Sequence, residues 1–143
     1  LRIGGTDLTA VTTHLEAASS FVRYLQAMEL RSSLDGVPDP VVVLGDFNAV
    51  PGDATYRLLT QGYRDAWAEA VPDASGDTCC QSSDLRNDVS RLHRRVDGVL
   101  FGAGEAVEAV RVGARTSDRV AAGDGTRVWP SDHAGVVADL RLR

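Results

Sequence analysis

The chain has 143 residues and a net charge of −5, with 43% hydrophobic and 24% charged residues, a length and balance that suit one globular domain and leave no room for two. No apolar run is long enough to cross a bilayer as a helix. The acidic balance counts against a large nucleic-acid footprint, though not against a compact site that handles one phosphate.

All 15 cationic side chains are Arg, so every basic contact is a planar guanidinium fork suited to phosphate. The chain begins at Leu1 and carries no visible targeting segment, and localisation is left open. Its two cysteines, Cys79 and Cys80, are adjacent. Neighbours rarely pair, and the spacing fits no zinc pattern, so they read as two small residues at a strand edge.

In chain order, Leu8 to Thr13 alternates and is rich in Val and Thr, which predicts a strand ending at His14. Ala17, Phe21, Leu25 and Met28 fall at helical spacing, with Val22 broadening the stripe, so a helix is expected from Ala17 to about Leu34. Asp35-Gly36 ends it, and Pro38 and Pro40 forbid its continuation. The β-branched run Val41–Leu44 reads as a strand buried on both faces. Asp53 can cap a short helix reaching about Gln61, and Tyr63 to Ala70 holds another helical piece.

Asp73 to Leu92 reads as a long loop with a brief strand near Thr78–Cys80. Strands are expected at Arg95–Phe101, Val107–Val112 and Gly135–Leu142, with loop over Thr116–Trp129. In the last strand Val136, Ala138, Leu140 and Leu142 share a face. This order predicts an α/β fold with a mixed sheet, whose first strand–helix–strand unit is a right-handed crossover. That crossover places His14 and Asp46 at the same sheet edge, where ligand sites gather.

Four short motifs stand at those strand ends. In Gly45-Asp46-Phe47-Asn48, Asp46 and Asn48 project to one side and offer hard oxygen donors that suit Mg²⁺ or Mn²⁺, while Gly45 permits close backbone approach. Ser131-Asp132-His133 sets a metal or water ligand beside a proton-transfer group. Arg95-Val96-Asp97 opens a strand with a carboxylate able to orient an imidazole. Thr13-His14-Leu15 ends the first strand on a titratable ring. Taken singly, each is also compatible with an ordinary turn or surface pair. His93, among Arg91, Arg94 and Arg95, reads as solvated surface; Trp67 reads as core and Trp129 as core or a loop anchor.

Taken in order, the four motifs resemble the endonuclease/exonuclease/phosphatase superfamily, and Thr78-Cys79-Cys80-Gln81 with Asp84-Leu85-Arg86-Asn87 is similar to an uncharacterised bacterial branch of it. The resemblance implies that residues 1–143 are the C-terminal half of a four-layer DNase I-like α/β sandwich, a mixed sheet with helices on one face. It implies a divalent-metal-dependent phosphoric ester hydrolase, acting on a nucleic-acid, lipid or inositol phosphoester. Asp46 and Asn48 would hold the scissile phosphate and the metal or the attacking water, and Asp132 would add a metal contact. His133 would serve as general base or bind a phosphoryl oxygen, oriented by Asp97, and His14 would protonate the leaving group or stabilise the phosphorane.

The family's first half supplies an Asn and a metal-binding Glu. Asp7 and Glu16 do not match them by position, so the N-terminal half is expected to be absent from this chain. A lone second half would expose an apolar sheet face, which predicts self-association and little activity for the fragment. The competing expectation is a non-catalytic interaction domain that retains the fold.

Overall fold

The computed structural model describes residues 1–3 and 5–143. A short hairpin of β1 (Arg2–Ile3) and β2 (Thr6–Asp7) leads into β3 (Thr9–His14), α1 (Ser20–Leu34) and β4 (Val41–Asp46). Then come α2 (Ala54–Leu59), β5 (Arg64–Asp65), α3 (Ala66–Ala70), β6 (Asp97–Phe101) and β7 (Glu105–Val112). The main sheet has the order β3-β4-β6-β5, with β3 parallel to β4 and β6 antiparallel to both β4 and β5. The final strand, β10 (Gly135–Arg141), pairs antiparallel with β7 and lies against β6. The segment expected to be loop contains a 3₁₀ turn at Thr116–Asp118 and a small hairpin of β8 (Val120–Ala121) and β9 (Arg127–Val128).

The buried run of β4 divides by alternation. Val41 and Val43 face the helices and pack with Leu15, Ala27, Phe47, Leu59 and Leu100. Val42 points the other way, toward Phe101 and the β10 side chains Ala138 and Leu140. Leu44, on that same face, is 37% exposed. The expectation of burial on both faces therefore fails at Leu44. It lies in an open trough of about 650 Å³ lined by Leu8, Ala10, Leu44, Val99, Val136 and Leu142.

The core face of α1 also differs from the expected one. Phe21, Leu25 and Met28 are 70%, 46% and 49% exposed, while Ala27 is buried and Leu30 and Leu34 pack on the core. The helix carries two apolar stripes, and the one nearer its C-terminus meets β4 and α2. Ser19 caps α1 by accepting from the Val22 amide. Asp53 does not cap α2 with its side chain; its Oδ2 accepts from the Val50 amide at 3.1 Å. Among the described residues, no helix is long and apolar enough to cross a membrane.

Candidate active site

The pairing register builds the site. His14 stands opposite Asp46 across β3 and β4, and Asp46 stands opposite Asp97 across β4 and β6. The three form one rank at the sheet edge. Gly45 makes the β3–β4 approach possible: its φ of 139° is in glycine territory, and a Cβ there would collide with the Thr13 carbonyl oxygen.

His14 Nε2 lies 3.4 Å from Asp46 Oδ2. Asp46 Oδ1 accepts from the Asn48 amide at 2.8 Å, and Asn48, at φ 50°, donates its side-chain NH₂ to the Leu15 carbonyl at 2.8 Å. That commitment leaves the Asn48 carbonyl oxygen as the group it can present. His133 joins the rank from outside, with Nδ1 2.8 Å from Asp97 Oδ2 and 3.9 Å from Asp46 Oδ2.

Asp46, Asp97 and His133 have ligand atoms within 4.8 Å of one another. Asp132 is exposed and stands apart from that trio; its backbone carbonyl accepts from the Gln81 amide at 2.8 Å. The structure thus brings His14, Asp46, Asn48, Asp97 and His133 together and leaves the Asp132 carboxylate at the rim.

Charge in this cluster is unbalanced. Burial raises the Asp46 pKa above the usual carboxylate range; the Asn48 hydrogen bond opposes the rise and the nearby Asp97 charge adds to it. For His133, burial disfavours the cation, yet the hydrogen bond and charge of Asp97, with help from Asp46 and Asp132, outweigh it and raise the pKa. Two close carboxylates held this way fit a divalent cation, because hard oxygen donors without a matching positive charge are what such an ion neutralises.

Thr78 is the residue that sequence reasoning missed. Its fully buried Oγ1 accepts from both the Val96 and Asp97 amides, each at 3.1 Å, and its carbonyl accepts from the Ala134 amide at 2.8 Å. One residue therefore ties the Asp97 strand to the His133 segment. The available signal was a polar β-branched residue in a stretch read as a brief strand and as part of a motif of the resemblance; the structure reduces that stretch to isolated bridges from Cys79 to Arg94 and His133. Thr78→Val is expected to strand the buried Val96 amide and the half-buried Asp97 amide and cost roughly 1–3 kcal/mol, with Thr78→Ser recovering most of it in urea denaturation. Equal stability of the Val and Ser variants would contradict this role.

The surrounding loop is sewn together rather than loose. Buried Gln81 accepts from Asn87 Nδ2 and the Arg91 amide, each at 2.8 Å. Trp129, 1% exposed, donates Nε1 to the Asn87 carbonyl at 2.7 Å, which makes it a loop anchor. His93 is exposed, and Trp67 is buried. Glu16 is spent at the entrance to α1, where Oε1 accepts from the Ala18 amide at 2.8 Å. Cys79 and Cys80, expected as unpaired neighbours, are joined as a vicinal disulfide. Their segment is threaded between Arg94 and His133, which keeps both sulfurs on the His133 side.

The mixed α/β sheet and its flanking helices match the DNase I-like fold of solved structures. The Endonuclease/Exonuclease/phosphatase family profile matches residues 2–133, and the chain belongs to that family. Among solved structures it is similar to the Bacteroides thetaiotaomicron mannosyl-6-phosphatase Bt3783, at 18% identity and a TM-score of 0.71, covering 92% of this chain and 50% of that one. It is also similar to truncated Caenorhabditis elegans TDP2, at 23% identity and a TM-score of 0.66, covering 97% and 56% respectively. A humanised D. rerio TDP2 aligns at 18% identity and a TM-score of 0.70, covering 97% and 57%. The chain spans about half the length of these structures. No curated protein matches it by sequence.

Proposed function

We propose that this chain is the C-terminal half of a divalent-metal-dependent phosphoesterase domain and carries most of its acid–base machinery. The single observation behind this reading is the His14–Asp46–Asp97 rank with His133 hydrogen-bonded to Asp97 at 2.8 Å. Asp46 and Asn48 would hold the cation, Mg²⁺ or Mn²⁺, with Asp132 able to reach it from the rim. A cation there supplies neutralisation of the phosphate and polarisation of phosphorus.

The protein's own groups supply the rest. Asp97 fixes the His133 ring and favours its protonated form after it takes a proton from water. His14 is exposed at the opposite end of the rank and would deliver a proton to the leaving oxygen. The acidic net charge favours a small phosphoester, such as a sugar, lipid or inositol phosphate, over a long nucleic acid.

The test compares bis(p-nitrophenyl) phosphate with p-nitrophenyl phosphate, using the 143-residue chain alone and within its parent polypeptide, with Mg²⁺, Mn²⁺ or chelator. Metal-dependent cleavage is expected in the parent and a much weaker rate in the chain alone. Cleavage that ignores chelator would sink the proposal. His133 must be neutral to accept a proton, so the rate should rise with pH through a value above that of free imidazole. Asp97→Asn should move that inflection down.

The trough on the open sheet face is where the other half of such a domain would pack. Without it, the chain should self-associate through the same apolar residues. Sedimentation velocity across concentration is expected to show this, and a monomer at every concentration would exclude it.

A further inference from the structure

A second donor group shares His133 but uses none of the carboxylates. Cys79, Cys80 and His133 have ligand atoms within 4.8 Å of one another, and Cys80 Sγ lies 3.9 Å from His133 Nε2. His133 Nδ1 is engaged with Asp97. When that nitrogen carries the ring proton, Nε2 presents its lone pair to the sulfurs. A carboxylate-backed imidazole is how proteins offer histidine to zinc.

The sulfur–nitrogen spacing of Cys80 and His133 agrees. Zinc bonds of about 2.3 Å to sulfur and 2.0–2.1 Å to nitrogen place the two atoms roughly 3.5 Å apart on a tetrahedral ion, a few tenths of an ångström from the spacing present. The frame is fixed in advance: the Cys79 carbonyl accepts from the His93 and Arg94 amides at 2.7 and 3.0 Å, and its amide donates to the Arg94 carbonyl at 2.9 Å. Softness separates this group from the neighbouring one, because thiolates with imidazole select zinc while carboxylates select magnesium or manganese.

We propose that reduction of the Cys79–Cys80 disulfide creates a Cys₂His site for Zn²⁺, and that an ion bound there withdraws His133 from phosphoester chemistry. In the chemical sequence, a dithiol reductant gives two electrons and two protons to the sulfur–sulfur bond, becoming a cyclic disulfide and leaving two cysteine thiols. Those thiols release two protons to solvent as Zn²⁺ binds, and Nε2 contributes its lone pair without a change in redox state. The fourth position stays open to water. In the oxidised protein the sulfurs hold no metal and His133 remains available. Silencing therefore needs reductant and zinc together. The ion site stands on the geometry alone; only its effect on catalysis rests on the hydrolytic reading above.

The experiment reduces the chain with a dithiol, removes the reductant anaerobically and titrates Co²⁺ as the probe. The reduced protein should take up one equivalent with a thiolate-to-cobalt charge-transfer band that Zn²⁺ displaces, and the oxidised protein should show no band. Cys80→Ser should weaken binding on the order of 10-fold or more, whereas Asp46→Asn should leave the band unchanged. Zinc-edge X-ray absorption of the unmutated reduced protein should report sulfur and imidazole ligands, which keeps the test independent of how any variant folds.

An absent band in the reduced protein, a band undiminished in His133→Asn, or an oxygen-only zinc shell would overturn the site. If the sulfur–imidazole site forms but no metal-dependent cleavage occurs in either redox state, the site is upheld and the hydrolytic reading fails. If cleavage occurs and the reduced, zinc-loaded protein cleaves as fast as the oxidised one, the withdrawal of His133 is refuted.

Discussion

Asp46→Asn is expected to abolish Mg²⁺ or Mn²⁺ binding at the carboxylate site and to lower phosphoester turnover on the order of 10³-fold, while the fold is retained or gains stability. The two halves of this expectation have one cause. Asn keeps an oxygen that can accept from the Asn48 amide, now bonded to Asp46 Oδ1 at 2.8 Å, so the turn after β4 survives. What it loses is a half-buried negative charge beside Asp97.

The sign follows from the direction of the shift. The pKa of Asp46 is raised in the folded chain, so the folded state favours its neutral form. That contribution is present below the unfolded pKa and is lost as pH rises through the folded one; at neutral pH the charged carboxylate weighs against folding. A neutral isostere removes the burden. A cation removes it too, so Mn²⁺ should raise the thermal midpoint of the unmutated protein by mass action and leave Asp46→Asn unmoved. Calorimetric Mn²⁺ titration and thermal scans check both halves. A variant that still binds Mn²⁺ tightly would remove Asp46 from the metal site.

Asp65→Ala should cost roughly 3–5 kcal/mol, more than any other single truncation argued above. Asp65 is 4% exposed and Arg95, its ion-pair partner, 10%. Oδ1 also caps α3, accepting from the Trp67 amide at 2.8 Å and the Ala68 amide at 3.2 Å. Oδ2 accepts from the Tyr56 hydroxyl at 2.7 Å, and burial together with that hydrogen bond pushes the Tyr56 pKa up to about 12.

Truncation would leave a guanidinium buried without its counter-charge, a phenol without its acceptor and a helix without its cap. Arg95 also stands two residues before Asp97, so the entry of β6 into the site should loosen. Urea denaturation followed by circular dichroism measures the loss, and a value below about 1 kcal/mol would show that the ion pair is solvated and contributes little. Asp65→Asn, which keeps the capping oxygen, should fall between the two.

Much of this was readable from local patterns. β3, β4 and the four motifs stand out because each is a contiguous signal: alternation, a β-branched run, or a short polar cluster after a strand. Asp65 and Thr78 did not stand out, because their importance comes from partners 9 to 30 residues away. An Asp before an Ala-Trp pair carries no mark that Arg95 and Tyr56 will converge on it.

α1 misled for a different reason. The Phe21–Leu25–Met28 stripe has better periodicity than the Ala27–Leu30–Leu34 face that is buried, and periodicity does not say which of two stripes meets the sheet. The vicinal pairing of Cys79 and Cys80 ran against a sound general rule about neighbouring cysteines, and the proximity of both to His133 depends on a tertiary crossing that no sequence window contains.

The rank of His14, Asp46 and Asp97 is a product of strand pairing. Adjacent strands stand about 4.8 Å apart in any sheet, so the spacing of the His14 imidazole and the Asp46 and Asp97 carboxylates is dictated by the backbone ladder. A slip of one residue would turn the displaced member to the opposite face. Connecting loops can lengthen, shorten or change charge without retuning those separations. Side chains placed in the hydrogen-bonded frame leave the loops free to diversify around a geometry that does not move.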